Sequence, residues 1–190
     1  MWCVMSKILK LCVIILGLVL FFSAMRWVNQ WARDAQDTAA VSVMDDVVNA
    51  APEFTVYDAE GQPVSLSDFA DRPIVLHFWA SWSEQCREDL HAFEEAYQEY
   101  GQQVDFLMIN MTDGSKETME TASTFLDRIQ RSFPVYFDLD KSAYIAIPVR
   151  SIPSTYYIDR DFQMVARAAG GTNTEETLEE GLQMLLDDAA

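Results

Sequence analysis

The chain is poor in basic side chains, histidine, cysteine and glycine, and each shortage removes a class of function. Its 190 residues include 13 Lys and Arg against 30 Asp and Glu. Residues 1–33 hold four of the basic residues (Lys7, Lys10, Arg26 and Arg33) and no acidic one, so from Asp34 onward nine basic residues face all 30 acidic ones. Nucleic acid is excluded as a partner, because neutralising phosphates takes Lys and Arg. Anionic lipid is disfavoured for the same part of the chain, and its acidity reads as solubility. The two histidines, His77 and His91, lack the spacing of a metal pair and no cysteine joins them, so no zinc or other metal site is expected. Three cysteines (Cys3, Cys12 and Cys86) make neither a disulfide scaffold nor a C-x-x-C-H haem site. Gly170-Gly171 reads as a turn rather than a phosphate loop. No cofactor is expected from these patterns.

What is abundant is apolar. Half of the residues are hydrophobic, enough for one buried domain and a short appendage. A continuous apolar run covers Leu11 to Met25 behind two lysines. With Ile8, Leu9, Trp27 and Val28 it reaches about the 20 residues that cross a bilayer. Residues 1–28 are therefore expected to form a single-pass signal-anchor, with Trp27 and Trp31 at the interface. The acid-free front favours a cytoplasmic N-terminus, which places the following domain on the extracytoplasmic side of the membrane, in the cell envelope. A cleaved signal peptide, and hence a secreted form, is the alternative. Against it, "FFSAMRW" sets bulky Met25 and Trp27 where cleavage calls for small residues. Residues 29–50 are polar and alanine-rich and read as a linker, partly helical. Residues 51–190 are read as the folded domain.

Within that domain, Phe54–Tyr57 and Pro63–Leu66 alternate around "DAEGQ", a hairpin signal. "PIVLHFWA" (73–80) and "VDFLMINM" (104–111) are nearly continuous apolar runs, as in strands covered on both faces. Between them Leu90, Phe93, Ala96, Tyr97 and Tyr100 recur at helical spacing over residues 84–100. A further helix is expected over about 115–132, with Met119, Ala122, Phe125, Leu126 and Ile129 inward. "PVYFD" reads as a strand, "KSAYIAI" as a helix, and "STYYID" and "FQMVARAAG" as strands paired across "DRD". "TNTEETLEEGLQMLLDD" closes the chain, capped at Thr172 or Thr174, with Leu178, Leu182 and Leu185 inward. The order is hairpin, β, α, β, α, β, α, β, β, α, which means an α/β fold with a mixed sheet and helices on both faces. Asn110-Met111-Thr112 matches a glycosylation sequon.

Three features then coincide: "FWASWSEQC" (78–86) running from a strand into a helix start, "SIPST" (151–155) just before a strand, and the β-β-α ending. Together they resemble the thioredoxin superfamily, specifically its TlpA-like, membrane-tethered thiol–disulfide oxidoreductases, over residues 51 to the C-terminus. "APEFTVYDAEGQPVSLSDF", "FPVYFD" and "IPSTYYIDRDF" stand in family-like order. The resemblance implies a thioredoxin-like fold with an N-terminal hairpin. It implies that Pro153 takes the cis-proline position, and that Trp82, Ile152 and Pro153 line a groove for a substrate strand. Asp89, three residues after Cys86, matches a position where relatives carry a glutamate near the buried sulfur. The chain departs from the family at the motif, which reads Ser83-Glu84-Gln85-Cys86 where relatives have C-x-x-C.

That departure bears on chemistry. Disulfide exchange needs a thiolate attacker, supplied by the first cysteine at a helix N-terminus. Ser83 is a far weaker nucleophile and forms no mixed disulfide. Three functions follow. The protein keeps the family's redox setting with altered or impaired chemistry at Cys86, a partner's cysteine replacing the missing one. Alternatively, it is a redox-inactive module that binds an extended peptide segment by strand-like pairing. The third reading is one-cysteine peroxide reduction at Cys86, for which Arg150 is the nearby cation. The expected partners are protein or peptide thiols and disulfides, or an extended peptide. Cys86 as an inert buried hydrophobe is the plainest reading of all.

Overall fold

The computed structural model describes residues 42–43, 50–129, 131–169 and 175–187. The chain divides into two units, Met1–Ala39 and Ala40–Ala190, and the described residues all belong to the second. The expected span at 1–28 lies outside them, as do Thr172 and Thr174. Among the described residues no helix is long and apolar enough to cross a membrane.

The strands are β1 (Ser42–Val43), β2 (Thr55–Tyr57), β3 (Pro63–Ser65), β4 (Ile74–Trp79), β5 (Asp105–Asn110), β6 (Val135–Phe137), β7 (Ser154–Ile158) and β8 (Met164–Ala169). The helices are α1 (Glu84–Tyr100), α2 (Met119–Leu126), α3 (Ser142–Ala146) and α4 (Glu175–Asp187), with a 3₁₀ turn at Leu66–Phe69. They form one sheet of order β1-β8-β7-β4-β5-β6-β2-β3. The pairs β4·β5 and β5·β6 are parallel, while β4·β7, β7·β8 and β2·β3 are antiparallel. The expected element order and mixed sheet are therefore present.

The central strand shows why its sequence is unbroken by polar residues. On β4, side chains alternate between faces. Val75 and Trp79 join one buried cluster with Cys86, Leu90 and Phe93 of α1 and Leu178, Leu182 and Leu185 of α4. Ile74, Leu76 and Phe78 join the other, with Leu66 and with Ala143 and Ile147 at α3. Both faces are covered, so every β4 residue is buried. Ala122 and Leu126 place α2 on the first face.

Two expectations need correction. Ser42–Val43, in the segment read as a partly helical linker, instead forms an edge strand antiparallel to β8, and Ala50 bridges Gln163. The helix expected over about 115–132 is confined to Met119–Leu126. Its start is delayed because Asp113 Oδ1 accepts the backbone N–H groups of Ser115 and Glu117, and Gly114 adopts φ 75°, a conformation open to glycine. Thr118, extended at φ −123°, then caps the helix by accepting from Thr121 N–H.

Candidate functional site

The site is built where β4 hands over to α1. β4 ends at Trp79, and the chain turns through Ala80, Ser81 and Trp82 before Ser83 caps the helix. Ser83 is extended, at φ −83° and ψ 118°, and its Oγ accepts from the backbone N–H of Cys86 at 3.3 Å. Its own N–H donates to Ala80 O at 3.2 Å. Serine suits this position because its hydroxyl satisfies one of the amide groups that a helix start leaves without a partner.

Cys86 lies one turn further in and is 0 % exposed, on the face shared with Trp79 and Phe93. Burial pushes its thiol above the ordinary cysteine range. The Ser83 hydroxyl and the backbone at Ala80 pull the other way, and the charge of Asp89 adds to the rise. The sum is upward, so at neutral pH Cys86 is a buried thiol rather than a thiolate. Asp89 is itself buried on α1.

The second part of the site is the segment leading into β7, the strand paired antiparallel with β4. The Ile152–Pro153 peptide bond is cis. The pairing of β7 with β4 ends at Ser154 opposite Phe78, so Ile152 and Pro153 lie just beyond the ladder. Ser154 Oγ donates to Ser151 O at 2.7 Å and holds the turn. Ile152 packs against the cluster that contains Cys86, and together with Trp82 it lines a cleft of about 360 Å³. The structure thus brings Ile152 and Trp82, the residue before the α1 cap, to one cleft, whose lining does not include Pro153. The cleft extends further, to Met111, Tyr144, Arg150 and Lys141, of which the sequence had given a role at the site only to Arg150.

A second missed feature is a strap between β5 and α2. Glu117 is 0 % exposed although it lies in a loop. Its Oε1 accepts from Ser81 N–H at 2.8 Å and from Asn110 Nδ2 at 2.6 Å, and its Oε2 accepts from Ser81 Oγ at 2.8 Å. The neighbouring Lys116 sets its Nζ 3.5 Å from the centre of the Trp82 ring, a cation–π contact. Met111 N–H donates to Trp79 O at 2.8 Å. One short loop therefore holds Ser81 and one face of Trp82. "NMTDGSKE" was legible only as a connecting loop, since a carboxylate buried inside a loop leaves no periodicity to find. The sequon there is buried: Asn110 is enclosed and its amide is committed to Glu117, so a glycan has no access.

The two histidines lie apart in role. His91 is on the exposed side of α1, 3.5 Å from Glu95. His77 is enclosed beneath the site, with Nδ1 2.9 Å from Thr155 Oγ1 and its ring 4.1 Å from that of Phe93. Among the described residues no group of three His, Cys, Asp or Glu side chains could hold a metal ion.

Residues 47–167 match the family described as AhpC/TSA. The chain is 28% identical over 134 residues to the thioredoxin-like protein YneN of Bacillus subtilis, covering 70% of this chain and 77% of that protein. It is 29% identical over 140 residues to the thiol-disulfide oxidoreductase ResA of Geobacillus kaustophilus, covering 73% and 78%. Among solved structures, a DsbF homologue from Corynebacterium diphtheriae superposes with a TM-score of 0.65 at 22% identity, over 77% of this chain and 93% of that one.

Proposed function

The chain belongs to the AhpC/TSA family and has a thioredoxin-like α/β fold, and from that premise we propose a membrane-tethered, extracytoplasmic protein of the TlpA-like thiol–disulfide oxidoreductase branch whose own two-cysteine cycle is disabled. It meets its partner's extended segment, which carries a thiol or a disulfide, in the groove formed by Trp82, Ile152 and Pro153. One observation carries the reading: Cys86, the one cysteine among the described residues, is fully enclosed with its thiol pushed up by burial, while the outer position of the motif holds the Ser83 hydroxyl. Exchange by this domain alone would need a thiolate at the outer position, and a hydroxyl there cannot form a mixed disulfide. The tether rests on the apolar run at residues 11–25.

The same burial disfavours the peroxidase reading, which needs an accessible thiolate at Cys86. A redox-inactive peptide-binding module is the second reading. It is favoured by the open cleft beside Trp82, which is 45 % exposed.

The test compares the full chain with its Ser83→Cys variant, both in detergent and both carrying Cys3→Ser and Cys12→Ser. Each is treated with oxidised glutathione or with peroxide and weighed intact. In the variant, glutathione disulfide accepts two electrons and two protons, becomes two glutathione molecules, and leaves a disulfide between positions 83 and 86. We expect that disulfide, together with thiol-driven reduction of insulin by the variant, and an unmodified Cys86 in the parent. A variant without the disulfide overturns the motif geometry. A parent that rapidly gains glutathione at Cys86 overturns the enclosure of that thiol and supports exchange at Cys86 completed by a partner's cysteine. A parent that rapidly gains one oxygen supports the peroxidase reading instead.

A further inference from the structure

The nine basic side chains that follow residue 33 are not evenly spread. Three of them, Lys116, Lys141 and Arg150, gather at the cleft beside Trp82: Lys141 and Arg150 line it, and Lys116 covers one face of the Trp82 ring. Among the described residues the ion pairs within 4 Å are Arg72–Asp105 and His91–Glu95, so Lys141 and Arg150 carry none. The cleft also holds two carboxylates, and both are engaged by backbone N–H groups. Asp138 is buried and accepts the N–H groups of Ala143 and Tyr144 at 3.1 and 2.9 Å. Asp113 accepts those of Ser115 and Glu117 at 2.7 and 2.9 Å. Lys141 acts on Asp113 at longer range, and Arg150 is in no ion pair among the described residues.

The rest of the rim is apolar or aromatic. Trp82 and Tyr144 are each 45 % exposed, and half-buried Met111 and Ile152 line the cleft with them. Next to Tyr144 on α3, Ile145 is 78 % exposed. On an acidic domain, a cleft that gathers three cations beside two carboxylates already engaged by backbone N–H groups, with an aromatic rim, selects where an acidic side chain can settle. We propose that this cleft takes an acidic side chain, adjacent to an aromatic or aliphatic one, from the extended protein segment that docks at Ile152 and Pro153. Arg150 receives the carboxylate in charge-assisted hydrogen bonds, Lys141 adds attraction, and the apolar neighbour stacks on the face of Trp82 that Lys116 leaves open. The inference rests on the reading that the groove binds extended segments, and it adds the sequence preference.

The test uses the full chain in detergent micelles and a random library of blocked decapeptides. Enriched sequences should carry Glu or Asp one or two places from Phe, Tyr, Trp, Leu or Ile. For an enriched peptide, replacing that acid by Gln should weaken binding about tenfold at low salt, and the loss should shrink as salt rises. The Lys141→Gln/Arg150→Gln variant should bind the acid and Gln peptides equally, with the affinity of the parent for the Gln peptide. Enrichment of peptides with no acid, or of basic ones, overturns the proposal while leaving the groove reading standing. Failure to enrich any sequence overturns both.

Discussion

His77 gives the sharpest quantitative expectation. It is fully enclosed in β4, and burial lowers its pKa from 6.5 to about 3. Its Nδ1 meets Thr155 Oγ1, while Nε2 has no partner, so the fold holds a neutral ring. In the unfolded chain the same ring takes up a proton near pH 6.5. The folded pKa is the lower of the two. The neutral ring's contribution is therefore complete above about pH 6.5, is lost as pH falls from there toward about 3, and changes no further below that. The loss is limited to about 1.4 kcal/mol per pH unit. Between about pH 8 and about pH 5 it amounts to about 2 kcal/mol, a large share of a typical domain's stability. Many carboxylates titrate over part of the same range, so the diagnostic quantity is a difference. A His77→Phe variant keeps a ring against Phe93 and removes the titration, and its loss of the Thr155 contact is a cost that does not change with pH. Urea unfolding followed by tryptophan fluorescence should show the parent losing about 2 kcal/mol more than the variant across that range. Parallel pH profiles would refute the reasoning, because they would mean that His77 is solvated or already charged in the fold.

The other expectations concern the site and its supports. Ser83→Ala removes the α1 cap and should cost about 1 kcal/mol, whereas Ser83→Gly should cost a few tenths; either change should raise the Cys86 thiol titration further, as read by its absorbance near 240 nm, roughly the thiolate band. Glu117→Gln keeps an acceptor for Ser81 N–H and Asn110 Nδ2 and presents an NH₂ to the Ser81 hydroxyl, so it should cost about 1 kcal/mol. Glu117→Ala leaves those buried donors without their acceptor and should cost about 3 kcal/mol or more, both measured as shifts in the urea midpoint. Gly181→Ala would place a Cβ 2.1 Å from the Tyr157 ring; overpacking of about 1–3 kcal/mol should outweigh the gain of about 1 kcal/mol in helix propensity, so the variant should melt lower than the parent.

The elements of the folded domain were legible because each carries a local signature. Buried strands read as unbroken apolar runs, as in Ile74–Trp79. A helix such as Glu84–Tyr100 reads as a 3.6-residue stripe, and its start reads as a serine with charged residues behind it. Where the local signal was misread, a neighbouring interaction had overridden it. The Asx turn at Asp113 took the amides that would have opened α2 four residues earlier. Ser42–Val43 found an edge strand whose ladder its own composition did not announce.

What the sequence determined by itself was the periodicity, hence the order of strands and helices, and the identity of the motif: one sulfur at Cys86 and a hydroxyl at Ser83. These are properties of short stretches, and short-range sterics and burial decide them. Only the tertiary structure decided that Cys86 is enclosed and its thiol raised, that Glu117 reaches back to hold Ser81, and that Lys116, Lys141 and Arg150 meet around Trp82. Ser81 and Trp82 stand tens of positions along the chain from the residues that meet them. Their approach follows from how strands β4, β5 and β7 pair in one sheet, which spacing along the chain does not encode.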